Sequence, residues 1–561
     1  MNDLARITAL ITQGAQYLYQ NRICDEDHLP HGRRAYVWPL FRWLQQHDGE
    51  REWQRKARVV ADELDPAVRH NPRGEMIIFP GLHHRRNYST NAIDCGTFVD
   101  SFYDFRELCR GTPHPLEQKA REVATSYILK KVAGLKDVHD QYLWAATGLA
   151  RFLRANEKDP SAGRIRRVLE ASLDFWIGHH EADGFSPYMQ SDQFMGGLTP
   201  YYFSRRIAFG WYILEQARIE RPDIEEKLLR AARFLATLLR PDGVKEMNLE
   251  AKRYYFWGSY EADSHPFDIY VFSKSYEKTK GKFWVDASAA SLRRLLAAQT
   301  ASGAIRSRAR EPGVRDWQCD TMRTGHLAWL TRIPDEYLAL ISERRARPLR
   351  APYPFERASG SARVLLIGNA ERWIHFVARK GPLAGHAGER SSGIIVNSGA
   401  SINNLGRSCL FQYRARGNPL LFLRGSRLAL AETVKYALFH FWDCLVHKKE
   451  FRLAFAFLRH GFLGYFLTGL FTRSTEFATE VAGLTVGKNI IRHDLVLSDV
   501  SGGQRESIGR REIRSDETAR VSIEDTLTTA RRVRLALQGG VVKVRGPRVI
   551  RLTHSLSAYE N

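Results

Sequence analysis

Cysteine is scarce in this chain: six in 561 residues, Cys24, Cys95, Cys109, Cys319, Cys409 and Cys444, with no C-x-x-C pair among them. That argues against a zinc ribbon or a thioredoxin-type centre. Such scatter predicts reduced, mostly buried thiols. There is no Walker loop, no Rossmann glycine fingerprint, no H-E-x-x-H and no G-x-S-x-G. A nucleotide-driven enzyme, a zinc protease and an α/β-hydrolase are therefore disfavoured. Nothing calls for a cofactor. His179 and His180 are adjacent, but sequence neighbours point apart on a helix and no third ligand has suitable spacing, so no metal is expected. The start, Met1-Asn2-Asp3-Leu4-Ala5-Arg6, lacks a basic residue leading into an apolar run. It reads as no signal peptide and gives a cytoplasmic expectation.

Acidic residues are also in deficit, 62 against 84 Lys and Arg, for a formal net charge of +22. A field of that sign draws in polyanions. Acidic polysaccharide and anionic lipid qualify. Nucleic acid does too, but no RNA- or DNA-binding motif occurs and the charge is spread along the chain, so it is not an expected partner. The 12 Trp and 22 Tyr can stack on sugar rings or fill a core. At this length two domains are the natural prior.

The first part, residues 1–350, reads as helical. Leu228, Ala231, Ala232, Leu235, Leu238 and Leu239 recur at three- and four-residue steps. So do Ile165, Val168, Leu169, Ala171 and Leu173, and Leu292, Leu295 and Leu296 before Ala298. Pro160, Pro200 and Pro222 sit where helices would start. Asp183-Gly184, Asp242-Gly243 and Ser302-Gly303 each follow a strong helix. That recurrence fits helical hairpins joined by long loops, closing into an α/α toroid whose loops open on one face. After a basic, Pro-bearing linker, residues 351–561 carry short alternating runs, as at Val364 to Ile367, Trp373 to Val377 and Val533 to Leu537. These predict an antiparallel β-sandwich. The fold class is thus α+β and multidomain, with a helical, apolar insertion at 428–472.

The chemistry points to the loops of the helical part. The densest runs from Asn248 through Arg253, Trp257 and Tyr260 to His265 and Tyr270. β-Elimination on a uronate needs a group that neutralises the carboxylate, a base for the C5 proton and an acid for the leaving oxygen at C4. Arg253 or Asn248, His265 and Tyr260 supply those types. A second loop opens a helix at His139 and Tyr142, which share a face at three-residue spacing. Asn91 enters a helix carrying Asp94, Asp100 and Tyr103. Tyr188 follows Gly184, and a last loop, Arg315 to Asp320, precedes Arg323 and His326. The plainer alternatives are that Tyr254 to Trp257 pack the loop and that His265 caps the next helix.

The helical part followed by a sandwich, the Asp-Gly turns, and the loop from Asp242 through Glu250 and Tyr260 to His265 together resemble heparinase II/III-like and alginate-lyase-like polysaccharide lyases. The resemblance implies a toroid with a sandwich, an acidic glycan as substrate and β-elimination as the reaction. A short Asn-His motif starts a helix in that family. The matching place is Val138-His139, with Val where Asn belongs, so neutralisation passes to Asn91 or Arg253. Two other classes stay open. A glycoside hydrolase would use two carboxylates about 5–10 Å apart, with Asp94, Asp140, Glu250 and Asp263 to test. A non-catalytic polysaccharide biosynthesis or export protein would keep the fold alone.

Leu428 to Thr472 interrupts the strand pattern with helical, apolar sequence punctuated by Lys448, Lys449, Arg452 and Arg459. Its uncharged stretch from Gly461 is shorter than the roughly 20 residues a spanning helix needs. Basic residues beside Phe, Trp and Leu suit a helix lying on an anionic membrane surface. An internal hairpin, or an interface in a homo-oligomer, is the alternative.

Overall fold

The computed structural model describes residues 4–21, 32–71, 73–78, 88–110, 112–134, 139–182, 184–186, 200–239, 243, 245, 261–306, 320–345 and 349, and thirteen strands after 350. The chain divides into two compact units. The first contains helices α1 (Ala5–Gln20), α2 (Val37–Asp48), α3 (Arg51–Leu64), α4 (Tyr88–Leu108), α5 (Leu116–Glu122) and α6 (Leu129–Gly134). It continues with α7 (His139–Ala155), α8 (Ala162–Ile177), α9 (Pro200–Ala217) and α10 (Pro222–Thr237). The last are α11 (Glu261–Thr279), α12 (Lys282–Ala298), α13 (Asp320–Gly325) and α14 (Asp335–Ser342). Among the described residues the only strands here are a small antiparallel pair, β1 (Val68–His70) and β2 (Met76–Ile78).

Two kinds of helix are present. In α8, Ile165, Leu169, Leu173 and Trp176 are buried while Ala171 is exposed, the one-sided pattern of a helix packed on a core. In α10, Ile224, Leu228, Ala231, Ala232 and Leu235 do the same, behind Pro222 in the first turn with Asp223 and Glu225 beside it. By contrast, residues 92–105 of α4, 202–214 of α9 and 262–273 of α11 are buried without a break. These inner helices form a closed circuit. α2 packs on α4, α4 on α7, α7 on α9, and α9 on α11. α11 then packs on the 3-10 stretch His326–Arg332, which returns to α2. α1, α3, α8, α10 and α12 pack outside them. Where α4 and α7 cross, a Cβ on Gly96 would lie 2.7 Å from Ala145 Cα, and one on Gly148 would lie 2.6 Å from the Gly96 carbonyl oxygen.

The recurring turns explain how the outer helices join. Gly184, after α8, has φ +91° and its missing Cβ would meet the backbone of Arg230 and Ala231 in α10 at 2.5 Å. Gly243 repeats the contact against Ala290 of α12. Gly303, after α12, has φ +89°, and a Cβ there would fall 2.2 Å from the Gln13 carbonyl oxygen of α1. Each turn is thus pressed onto an outer helix, and the last one brings the unit back to its first helix. Among the described residues, no helix is long and apolar enough to cross a membrane.

The described strands of the second unit are antiparallel throughout and form two sheets. Five strands, β3 (Phe355–Ser359), β4 (Val364–Gly368), β5 (Arg372–Val377), β6 (Gly393–Ser398) and β7 (Ser401–Asn404), are ordered β3-β4-β5-β6-β7. As the sequence predicts, Val364–Gly368 pairs with Arg372–Val377. Eight more, β8 (Gln412–Arg416), β9 (Ser474–Gly487), β10 (Ile490–Asp499), β11 (Arg505–Ser515), β12 (Val521–Thr529), β13 (Val533–Leu537), β14 (Gly540–Val544) and β15 (Arg548–Leu556), are ordered β14-β13-β8-β9-β10-β11-β12-β15. β14 (Gly540–Val544) and β15 (Arg548–Leu556) are consecutive in the chain yet lie at opposite edges of that sheet. Seven flat inter-strand steps would span about 34 Å. The four residue steps from Val544 to Arg548 reach about 14 Å. The eight strands therefore bend back on themselves. The insertion at 428–472 lies outside the described residues.

Gly303→Val is expected to destabilise the protein by about 3 kcal/mol, because it combines a left-handed backbone with a backbone clash. Gly49→Ala keeps a left-handed φ of +73° but meets nothing within 4 Å. It should cost only about 1–2 kcal/mol. Denaturant midpoints of the two variants check the difference.

Candidate active site

The inner helices run side by side in one direction, and their facing residues sort into three levels. Farthest from the helix starts, Arg42 and Arg151 share Asp104 and Glu107, with Arg42 3.1 Å from Asp104 and Arg151 2.9 Å from Glu107. In the middle, Asp100 of α4 accepts hydrogen bonds from the Tyr212 hydroxyl of α9 at 2.5 Å and from Arg332. Burial pushes the Tyr212 hydroxyl well above its ordinary range. The Arg332 guanidinium also lies over the rings of Tyr212 and Trp329.

The third level lies where the inner helices begin. Arg33, in the 3-10 turn Gly32–Tyr36 before α2, donates to Asp94 of α4 at 3.0 Å. Arg205 of α9 lies 3.3 Å from Asp263 of α11, and Asp263 also meets Nδ1 of His326. Both guanidinium groups lie against Trp144 of α7, 5.1 Å from its ring centroid for Arg33 and 4.9 Å for Arg205. Tyr36, Trp144 and Phe267 surround the His326 ring. Just beside this group, Lys245 donates to Asp268 of α11 at 2.7 Å and to Ser204 of α9 at 3.2 Å.

The arginines come in two adjacent pairs with divided roles. Arg33 faces the cluster, whereas Arg34 donates to the Leu18 and Tyr19 carbonyls that end α1 and lies 3.3 Å from Glu63. Arg205 faces the cluster, whereas Arg206 donates to the Ser186 carbonyl at 3.0 Å. Neighbouring residues on a helical turn project roughly 100–120° apart, so one pair serves both the interior and the outer wall.

His326 is neutral in this setting. Burial holds its pKa down, to about 4, with Asp263 opposing and Arg205 adding to the depression. A neutral imidazole fixed by a carboxylate can accept a proton. Two guanidinium groups and one ammonium group are buried in this region. Each cation is matched to an acid: Asp94, Asp263 or Asp268.

The sequence-predicted residues divide into three groups. His265 is buried in the first turns of α11, its Nδ1 3.4 Å from Asp268 Oδ2. Asn91 falls in the first turn of α4, and His139 is the first residue of α7. Tyr142 is buried, its hydroxyl on the side of Ser172 in the outer helix α8, and burial raises its pKa. It is not brought into the cluster around Trp144. Tyr188, Asn248, Arg253, Trp257 and Tyr260 lie outside the described residues. His179 and His180, at the end of α8, pack on Phe175 and Trp176. The residues that sequence reasoning missed as site residues are Arg33, Trp144, Arg205, Lys245 and Asp268, and it gave His326 no role. A signal was present: Arg33-Arg34 precedes Ala35-Tyr36-Val37-Trp38, and Arg205-Arg206 sits between Phe203 and Ile207-Ala208-Phe209. Charges inside such apolar runs mark ions that need buried partners.

His326 also predicts a pH dependence. The unfolded chain takes up a proton near pH 6.5, whereas the folded one resists until about pH 4. The unfolded state therefore binds more protons in that window, and stability falls as pH drops through it. The loss should be on the order of 3 kcal/mol. Denaturation measured from pH 7 to 4 should show that slope, and His326→Gln should flatten it.

No protein-family model matches the sequence, and no curated protein matches it. Among solved structures, the chain is similar to heparinase III, with 9% identity and a TM-score of 0.45, over 91% of this chain and 64% of that one. The heparan sulfate lyase HepC from Pedobacter heparinus aligns with 10% identity and a TM-score of 0.43, over 90% of this chain and 64% of that one. The unsaturated glucuronyl hydrolase from Bacillus sp. GL1, responsible for the degradation of glycosaminoglycan, aligns with 12% identity and a TM-score of 0.40, over 58% of this chain and 96% of that one. The chain spans 64% of the length of either lyase, which is under two thirds.

Proposed function

We propose that this protein cleaves an acidic, uronate-bearing glycan by β-elimination at the helix starts of its first unit. The observation that carries the reading is the gathering of Arg33, Arg205 and His326 around Trp144 at the helix starts, with Lys245, Asp268 and His265 grouped beside them. The net charge of +22 favours a polyanionic substrate. In this reading the closed circuit of inner helices is a toroid, and the two sheets of the second unit face one another as a sandwich.

The chemistry divides as follows. An amide at the start of α4, Asn91, neutralises the uronate carboxylate and makes the C5 proton acidic. His265 takes that proton. The C5–H electrons form the C4–C5 double bond, the C4–O bond breaks, and Tyr260 protonates the departing oxygen. His139 flanks the site from the start of α7, and Trp257 and Tyr188 stack on sugar rings. Tyr142 packs the wall behind it. A hydrolase needs a carboxylic acid able to donate a proton. Asp94 and Asp263 each face a buried guanidinium, which favours the ionised form and speaks for the lyase.

Incubation with uronate polysaccharides should generate the ultraviolet absorbance of a C4–C5 double bond. His265→Ala or Tyr260→Phe should lower that rate by about 10²–10⁴-fold. New reducing ends without the absorbance, lost in Asp94→Asn or Asp140→Asn, would make the protein a hydrolase. Neither signal over a broad panel would leave a binding protein.

Residues 428–472 are the part of this proposal that concerns a membrane. Their Lys and Arg beside Phe, Trp and Leu suit an anionic lipid surface. The intact protein should co-sediment with anionic vesicles, less so in high salt, and lose that binding when 428–472 is replaced by a Gly/Ser loop. Retention in the supernatant at low salt would refute it.

A further inference from the structure

Helix α11 carries two buried carboxylates, Asp263 and Asp268, in the same kind of setting. On Asp263, Oδ2 faces Arg205 at 3.3 Å and Oδ1 meets Nδ1 of His326. On Asp268, Oδ1 takes the Lys245 ammonium at 2.7 Å and Oδ2 lies 3.4 Å from Nδ1 of His265. Cation, carboxylate and imidazole recur in the same order. Lys245 and Asp268 are both buried, and Lys245 is held further by Ser204 at 3.2 Å.

A buried ion pair is a poor stabilising device, because desolvating both charges offsets their attraction. Its placement beside an imidazole gives it another use. His265 and Asp268 stand three residues apart on one helix face. Pro266 lies between them and has no N–H for the Ala262 carbonyl, so the first turn of α11 lacks one backbone bond. Side-chain contacts must then fix the residues of that turn. Lys245 balances the Asp268 charge, so the carboxylate can orient the ring without forcing a proton onto it.

We propose that Asp268, anchored by Lys245 and Ser204, is the positioning residue of His265. Its Oδ2, 3.4 Å from Nδ1, makes the proton favourable on that nitrogen, which leaves the basic lone pair on Nε2. The role rests on the reading of His265 as the base that takes the C5 proton. It parallels the triad tautomer logic, in which a carboxylate holds an imidazole for proton transfer.

The test reads the His265 tautomer directly, by long-range proton–nitrogen NMR on the full chain with labelled histidine, assigned by the signal lost in H265Q. The wild-type protein should show protonated Nδ1 and unprotonated Nε2 at pH 7.5. In D268N the Nε2-protonated form should appear, a change that a packing role would not produce. If D268N does not fold, the wild-type tautomer decides alone: a protonated Nε2 overturns the proposal. An unchanged tautomer in folded D268N overturns it as well. On any uronate polymer that the wild type cleaves, D268N should lower kcat by about 10²-fold or more with KM within about twofold. An unchanged kcat would also refute the role. Absence of cleavage by the wild type would remove the lyase reading and leave the role of Asp268 to the NMR result.

Discussion

Ions buried between parallel helices must find partners on other helices, and that requirement organises the first unit. Asp94, Asp100 and Asp104 recur on α4 at steps of six and four residues, all buried. Each reaches a guanidinium from elsewhere in the circuit: Arg33 for Asp94, Arg332 for Asp100, Arg42 and Arg151 for Asp104. A carboxylate stripped of its guanidinium in such a place would carry an uncompensated desolvation cost of several kcal/mol. Sliding one inner helix against its neighbour would break several pairs together. The pairs therefore fix register and direction, while the aromatic packing of Trp144, Phe209, Phe267 and Trp329 fills the space between them.

Fixed direction has a chemical consequence. With the inner helices aligned, their first turns gather at one end of the ring. Residues far apart in sequence, such as Arg33, Trp144, Arg205, Asp263 and His326, become neighbours there. The adjacent arginine pairs tie this end to the outer wall, since Arg34 closes α1 and Arg206 holds the Ser186 carbonyl. Position and stability are thus coupled: the side chains that shape the candidate site sit beside those that hold its surroundings.

Periodicity made much of the helical unit legible. One-sided apolar spacing identified α8, α10 and α12, because a helix with one wet face must repeat near 3.6 residues. Pro222 and Pro200 marked helix starts, and the recurring Asp-Gly and Ser-Gly turns marked hairpin ends. The inner helices were harder to read. A helix buried all round has no wet face and so shows little period, as the unbroken burial of 262–273 illustrates. Strands were legible where apolar residues alternate, at Val364 to Ile367 and its partner. The order of strands was not: β14 and β15 follow one another in the chain yet end at opposite edges, since pairing depends on contacts that alternation does not encode.

For the site, sequence alone determined the inventory: an excess of cations, imidazoles near helix starts, and acids within apolar runs. His265 drew notice in the sequence through its polar, aromatic surroundings, and it lies in the first turns of α11. Which groups meet was decided only by the tertiary structure. Tyr142 and Trp144 are two residues apart on α7, yet one reaches outward to Ser172 and the other inward to Arg33 and Arg205. Two steps of about 100° carry them to opposite sides of the helix. Which side is the interior depends on how α7 is packed, and its own sequence does not state that. His326 and Asp263 are 63 residues apart, and their pairing exists only because the circuit of inner helices closes.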